Sequence, residues 1–322
     1  MKGIVLKKSA GILIISAFFS FSLYGQTRNE VLEAYNEGAK ASQTDTPAAI
    51  AAFEKAITLA DQVGETAADL KQKATQVLPQ LYLKQASAKI SEKKPGQDVI
   101  KAAKDAVEAA DKYGAAQAQK DNAQKILVQA YNQLATNFFT QKEYDNAIAA
   151  FDTVLSINPD YLTAIYNKAL IYRTQNNGDK YGETIDLYLG KLGDAEKGKQ
   201  ASQAALEFFR AAGSQANQKE NLDEALTLLT KAEKYGEDKD LFYYFADVYN
   251  KQKNFDKGIE YAQKGLNMET GSAEAKAKFY YQLAVGQAGK GQIAEACESF
   301  KNAMYGAFAD ASKAQRTNLK CQ

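Results

Sequence analysis

From about residue 28 onward, apolar side chains recur every three or four positions along almost the whole chain. This spacing places them on one face of an α-helix, and the abundance of Ala, Lys, Glu, Gln and Leu favours the same conformation. No segment alternates apolar and polar residues for long enough to predict a strand. Short breaks separate the periodic segments, at Thr46-Pro47, Lys94-Pro95-Gly96, Asn158-Pro159-Asp160, Asn176-Asn177-Gly178 and Lys290-Gly291. The pattern predicts an all-α protein.

The periodic segments also repeat one another. In the clearest copy, residues 131–159, a first helix carries two aromatic residues and a small residue between them. A second helix carries an Ala-Ile pair and a phenylalanine, and a proline prevents its continuation. The marked residues are Tyr131, Leu134, Ala135, Phe138, Ala147, Ile148, Phe151 and Pro159. Because Ala135 and Ala147 are small, we expect them to face each other where the two helices approach.

This unit resembles the tetratricopeptide repeat, and the 34 residues from Phe138 to Tyr172 match the period of that family. The resemblance implies a right-handed superhelical solenoid of antiparallel helix pairs. We place seven pairs at about residues 28–62, 65–112, 116–157, 161–192, 195–235, 238–268 and 272–304, with a closing helix at about 307–320. The corresponding divisions are divergent N-terminal pairs at 26–112, the repeat array at 113–304 and a cap at 305–322.

Pro79 lies inside the predicted first helix of the second pair. Proline removes a backbone hydrogen bond and clashes with the preceding turn, so we expect this helix to kink or split near Leu78.

In the resembled family, the first helices line a concave face that usually binds another protein. Counting from the packing aromatic residue of each first helix, we place seven candidate partner-binding residues on that face. They are Asn132, Phe139, Tyr166, Arg173, Tyr243, Asn250 and Tyr281. The same projection selects Thr136, Leu170, Arg210, Ser214, Asn217, Asp247 and Val285. The alternative is that these side chains only pack against the next first helix, or lie singly on a solvated surface.

The first 25 residues have the features of a cleaved signal peptide. Lys2, Lys7 and Lys8 precede an uncharged apolar stretch from Ala10 to Leu23, and small Gly25 follows. The stretch is short for a membrane span, which needs about 20 residues, although an uncleaved anchor is the alternative. We therefore expect a periplasmic or otherwise exported protein with no integral membrane segment after cleavage.

Composition argues against catalysis and against nucleic-acid binding. The chain has 40 basic and 39 acidic residues, which is too even a balance to attract nucleic acid, and it has no histidine. The absence of histidine removes Ser-His-Asp chemistry and His-ligated zinc. No glycine-rich phosphate loop follows a strand, and the repeats leave no separate catalytic domain. We expect no enzyme, no cofactor and no metal site.

The two cysteines, Cys297 and Cys321, suit a disulfide if the protein is exported, while two free or buried thiols are the alternative. If the closing helix runs antiparallel to the last helix of the array, its end returns beside Cys297.

The resemblance thus implies a non-catalytic scaffold of the bacterial cell envelope that binds a protein or peptide on its concave face. A glycan-associated envelope repeat protein is the alternative, because tyrosines can stack on sugar rings. Phe139, Leu170 and Val285 favour the peptide, since a peptide groove needs apolar pockets.

Overall fold

A computed structural model describes residues 27–92 and 96–322 of the chain. The predicted signal peptide at residues 1–25 lies outside the described residues. Within them there are fifteen α-helices, two single-turn 3-10 helices and no strand, so the all-α prediction is confirmed. None of these helices is long and apolar enough to span a bilayer.

Fourteen of the helices follow one another as seven helix–turn–helix units, a fifteenth comes after them, and the two helices pack together in six of the units. Short connections between packed helices make each pair antiparallel. The helices are α1 (Arg28–Ala41), α2 (Thr46–Val63), α3 (Ala68–Ser91), α4 (Gln97–Lys112), α5 (Gln117–Thr140), α6 (Tyr144–Ile157), α7 (Leu162–Thr174), α8 (Gly178–Lys191), α9 (Ala195–Gln218), α10 (Leu222–Glu233), α11 (Lys239–Lys251), α12 (Phe255–Met268), α13 (Ala273–Gly289), α14 (Ile293–Asn302) and α15 (Ala309–Asn318).

The chain divides into two compact units, Met1–Ala130 and Tyr131–Gln322. In the first unit, the Phe53 ring packs edge-on against Tyr35, with ring centroids 5.4 Å apart. The Glu54 carboxylate accepts hydrogen bonds from the hydroxyls of Tyr82, at 2.9 Å, and Tyr113, at 2.8 Å. Burial and this carboxylate raise the pKa of both tyrosines. The shared acceptor ties α2 to α3 and to the end of α4.

Of the kink or split predicted near Leu78, the split does not occur, because helix α3 continues through Pro79. Proline inside a helix costs about 3 kcal/mol or more. The neighbouring leucines Leu78, Leu81 and Leu83 are buried, and burying one leucine side chain contributes about 1.5–3 kcal/mol. Their combined packing therefore offsets the lost hydrogen bond and keeps the helix in one piece.

The five helix–turn–helix units from α5–α6 to α13–α14 share one kind of turn. Each turn contains a residue with positive φ between its two helices, namely Lys142, Asn176, Glu220, Lys253 or Gly291. A left-handed residue stops the first helix and lets the chain reverse within a few residues. The same turn geometry recurs although only one of the five residues is glycine.

The central core of the second unit is aromatic. Phe209 on α9 stacks on Tyr181 of α8 and on Tyr235, which follows α10, with both centroid separations 5.8 Å. The Phe208 ring meets Phe209 edge-on at 5.1 Å. These rings join three consecutive helices into one cluster.

The chain ends with α15, which packs beside α14. Leu319, just beyond α15, contacts the apolar cluster formed by Ala284, Ala296 and Phe300. Cys297 and Cys321 are at disulfide-bonding distance, with their Cα atoms 5.6 Å apart. The Arg316 guanidinium donates a hydrogen bond to the Cys297 carbonyl. The predicted closing helix is confirmed, and it covers one side of the last pair.

Ala135 of α5 and Ala147 of α6 both have 0% exposed surface, as a close approach of the two helices requires. We expect the Ala135→Leu substitution to lower the free energy of unfolding by about 1–3 kcal/mol, because the larger side chain overpacks this contact. Hydrogen exchange in α6 and α7 should speed up as well. Unchanged exchange in both helices would show that the two alanines do not face each other.

Candidate functional site

Four first helices of the second unit, α7, α9, α11 and α13, carry most of the candidate residues. We call them the first-helix row. The neighbours α9, α11 and α13 are joined by hydrogen bonds and ion pairs, whereas α7 and α9 are separated by clefts, and this difference locates the candidate site.

The junction of α9, α11 and α13 is held by the carboxylate of Asp247. It accepts hydrogen bonds from the amide of Asn217, at 2.6 Å, and from the amide of Gln282, at 2.9 Å. The ammonium group of Lys251 lies 2.8 Å from the same carboxylate and donates to the Asn217 amide oxygen, also at 2.8 Å. One partly buried carboxylate therefore links three successive first helices, and charged hydrogen bonds of this kind are among the stronger ones in proteins.

Asn250 extends this network. Its amide nitrogen donates to the backbone oxygen of Gln282, at 2.8 Å, and to its side-chain oxygen, at 2.9 Å. Asn250 is only 6% exposed. It fits because Gly258 lies against it, and a Cβ at that position would overlap the amide. Two ion pairs join the same three first helices. Arg210 of α9 pairs with Asp238 at the start of α11, and Lys278 of α13 pairs with Asp240 of α11.

The α7–α9 junction is different. Among the described residues, no hydrogen bond or ion pair joins these two helices, although both contribute to the shared apolar core below. Two clefts lie along the junction, with volumes of about 490 Å³ and about 830 Å³, and Gln200 borders both. We call these two clefts together the α7–α9 opening.

The two ends of the α7–α9 opening differ in chemistry. At the end where α7 begins, four large side chains supply apolar surface, namely Leu162, Tyr166, Tyr188 and Leu192. At the end where α7 finishes, the lining is polar and charged. It consists of Arg173, Lys199, Gln200, Ser202, Gln203 and Glu207, together with Ala204 and Tyr235.

The family model for the tetratricopeptide repeat matches residues 128–161. This stretch contains the end of α5, all of α6 and the turn before α7, and it lies within the run of helix pairs described above. This stretch of the chain is a tetratricopeptide repeat. Such repeats are generally non-catalytic. In the described part of this repeat protein, no group of His, Cys, Asp and Glu side chains is arranged to hold a metal ion.

No curated protein matches the repeat protein in sequence. Several solved structures are similar to it at low sequence identity. YrrB, described as a tetratricopeptide repeat protein with an unusual peptide-binding site, is 18% identical, covers 57% of this chain and 91% of its own, and has a TM-score of 0.35. A tetratricopeptide repeat protein from Parabacteroides merdae ATCC 43184 is 15% identical. The match covers 91% of this chain and 99% of that protein, with a TM-score of 0.30. PilW, described as a type IV pilus biogenesis factor, is 17% identical. The match covers 61% of this chain and 95% of PilW, with a TM-score of 0.28.

The repeat protein brings two of the seven candidate residues together at the α7–α9 opening. Tyr166 borders the smaller cleft, and its ring lies 4.8 Å from that of Tyr188. Arg173 borders the larger cleft, is exposed, and forms no ion pair with any described residue.

Three other candidates pack within the repeat protein. Asn250 is buried in the Asp247 network. The Tyr243 ring lies 6.2 Å from Phe279, and burial together with the Asp247 carboxylate raises the pKa of Tyr243 to about 12. The Tyr281 ring lies between Phe300, at 5.6 Å, and Phe308, at 5.3 Å, so the C-terminal segment covers it.

The remaining two candidates lie on α5, outside the first-helix row. Asn132 is half-buried, and its amide oxygen is buried with no hydrogen-bond partner among the described atoms. Phe139 is also half-buried, with its ring 6.2 Å from that of Tyr144. The structure does not bring either residue to the α7–α9 opening.

The sequence projection missed the α9 side of the opening. Helix α9 has 24 residues whereas α7 has 13, and its first half supplies Lys199, Gln200 and Gln203. These three residues precede Phe209, whereas the candidates expected from the repeat pattern on this helix all follow that aromatic position. The polar run at residues 196–203, directly before the apolar part of the helix, is the signal that could have identified them.

Proposed function

We propose that this tetratricopeptide repeat protein is an exported, non-catalytic scaffold of the bacterial cell envelope. It holds a protein or peptide partner against the first-helix row. The observation that carries this proposal is the α7–α9 opening, where neighbouring first helices have no polar link among the described residues and Arg173 has no ion pair there. A partner that enters there replaces water along both helices.

The lining of the α7–α9 opening suits a protein partner. Tyrosine and arginine often carry a large share of the binding energy at interfaces, because each offers a large contact area and directed hydrogen bonds. Tyr166 and Leu162 offer apolar contact at one end, and Arg173 with Gln200 offers polar contact at the other. A polypeptide can satisfy both ends at once, since it carries apolar side chains, polar side chains and backbone amides on one flexible chain.

Export is supported by two features of the chain. The basic and then apolar N-terminus has the order of a signal peptide. The cysteine pair at disulfide-bonding distance suits an oxidising compartment. Neither feature involves the first-helix row, so they support location in the envelope independently of partner binding.

We expect a Tyr166→Ala plus Arg173→Ala variant to keep its helical content and to lose its envelope partner, because both residues border the α7–α9 opening. The measurement is capture from intact envelopes, crosslinked before lysis, with the captured proteins identified by mass spectrometry. A matched control is Tyr305→Ala plus Lys313→Ala, which removes one exposed ring and one exposed cation elsewhere in the second unit. Capture of the same proteins by wild type and by the opening variant would contradict the proposal.

A further inference from the structure

We propose that the occupant of the α7–α9 opening is a short extended peptide segment in which an apolar residue is followed or preceded by acidic residues. This inference rests on the proposed function and specifies the chemistry of its partner. The acidic side chains bind Arg173 and Lys199, and the apolar side chain occupies the cleft beside Tyr166.

The charges that line the α7–α9 opening are mostly positive. Arg173, Lys197 and Lys199 are cationic, and Glu207 is the one carboxylate among the described lining residues. The Glu207 carboxylate already accepts a hydrogen bond from the Gln203 amide at 2.9 Å. The opening therefore has an excess of two positive charges, although the charge of the whole chain is close to balanced.

The cations at the α7–α9 opening also differ from their neighbours in pairing. Nearby lysines are bound to aspartates, in the pairs Lys168–Asp152, Lys191–Asp160, Lys231–Asp179 and Lys234–Asp186. Arg173 and Lys199 have no ion pair among the described residues. Lys197 has only an exposed contact with Asp194 at 3.6 Å, and such surface pairs contribute little. An incoming carboxylate would thus not have to displace a strong internal partner.

The dimensions suit an extended segment. From Thr163 to Arg173 the α7 axis rises about 15 Å at 1.5 Å per residue, which is the length of four or five extended residues. Along this path Gln200, Ser202 and Gln203 offer side-chain donors and acceptors to a peptide backbone. The apolar end then lies at the start of α7, and the cationic end lies where α7 finishes.

A peptide fits these observations better than a sugar. Sugar rings stack on open aromatic faces, but the tyrosines here already pack on other rings. Tyr166 lies against Tyr188 at 4.8 Å, and Tyr235 is nearly parallel to Phe209, with 5° between their planes. The Tyr235 hydroxyl also donates to Asp186 at 3.0 Å. The free groups are a guanidinium, an ammonium group and amides, which recognise carboxylates and peptide bonds.

The test uses the full chain and fluorescein-labelled peptides read by fluorescence anisotropy. The probe contains one leucine and three glutamates between glycines. Matched peptides carry three glutamines or three lysines instead, and labelled oligogalacturonate represents an acidic glycan. We expect the glutamate peptide to bind about tenfold more tightly than the glutamine peptide, and its binding to weaken when the salt concentration rises from about 0.05 M to about 0.5 M.

The protein variants locate the binding. The Arg173→Ala plus Lys199→Ala variant should bind the glutamate peptide about tenfold or more weakly than wild type, because it lacks both unpaired cations. Lys55→Ala plus Lys219→Ala removes the same number of exposed charges away from the opening and should leave binding unchanged. Circular dichroism of both variants establishes that each keeps its helical content.

Each unfavourable result has a distinct meaning. Equal affinity for the glutamate and glutamine peptides, or equal loss in the two protein variants, would overturn the acidic-peptide inference. Binding of oligogalacturonate alone would assign the opening to a glycan. If the Tyr166→Ala plus Arg173→Ala variant loses its envelope partner but no peptide preference is found, the proposed function stands and the inference fails. If that variant also keeps its partner, both fail.

Discussion

Replacing Phe209 with alanine is expected to lower the free energy of unfolding of the second unit by about 3–5 kcal/mol, the usual cost of removing a fully buried phenylalanine. Phe209 has 0% exposed surface. Its ring contacts Tyr181 and Tyr235 face to face, and the Cβ of a residue at Gly182 would lie 3.3 Å from it. Side chains from α8, α9 and the end of α10 therefore border the cavity that the substitution leaves, and the helices cannot close on it without moving one another.

The measurement is urea unfolding followed by circular dichroism, together with hydrogen exchange of individual helices. Because each pair in a repeat array contacts only its neighbours, exchange should speed up most in α8, α9 and α10. Tyr305→Ala is the control, since Tyr305 is 46% exposed and surface substitutions usually change stability by less than about 0.5 kcal/mol. A loss below about 1 kcal/mol for Phe209→Ala would show that the aromatic cluster is not the core of this unit.

Removal of the cysteine pair is expected to release the C-terminal helix. A bond between Cys297 and Cys321 closes a loop with a sequence separation of 24, and such a loop contributes roughly 3–4 kcal/mol in the chain-entropy model. Helix α15 is short, and Ser312 is its one buried residue among those described. It therefore depends on this link more than the inner helices do. In a Cys297→Ala plus Cys321→Ala variant, amide protons of α15 should exchange much faster while those of α11 and α12 stay protected.

Thiol titration of the exported, unfolded protein without reductant establishes whether the bond forms. We expect no free thiol per chain, and two free thiols would reject both the bond and the oxidising compartment that it implies. A Lys313→Ala variant of α15, which keeps both cysteines, is the control for exchange. If α15 exchanges equally fast in the control and in the cysteine variant, the helix is not held by the bond.

The helix pairs could be predicted from the sequence because their determinants are local. The apolar spacing, the break at Asn158-Pro159 and the small residues at Ala135 and Ala147 act within one pair or between neighbours. The split that was one of two outcomes predicted at Pro79 does not occur, for the opposite reason. The local penalty of proline is visible in the sequence, whereas the burial of Leu78 and Leu81 depends on helices elsewhere in the chain.

The candidate site was predicted only in part. Periodicity gives the direction in which a side chain leaves its helix, and two residues selected in this way, Tyr166 and Arg173, border the same opening. Periodicity also selected Asn250, although the Asn250 amide is hydrogen-bonded to Gln282, which lies 32 residues further along the chain. Whether two first helices close or stay apart is determined by such distant hydrogen-bond partners, and a repeat pattern does not reveal them.

The Asp247 network also bears on how the chain avoids misassembly. Helix pairs with nearly equivalent apolar faces can dock on the wrong neighbour, because leucine and alanine surfaces pack about equally well against any of them. Asn217, Asp247 and Gln282 each occur on a different first helix, and their donors and acceptors match only in the native order. A pair docked out of sequence would leave a carboxylate or an amide desolvated without a partner. The three polar residues thus specify the order of α9, α11 and α13 along the array. Deletion of one whole helix pair would leave some of these hydrogen bonds unmade, even though every remaining pair kept its own apolar core.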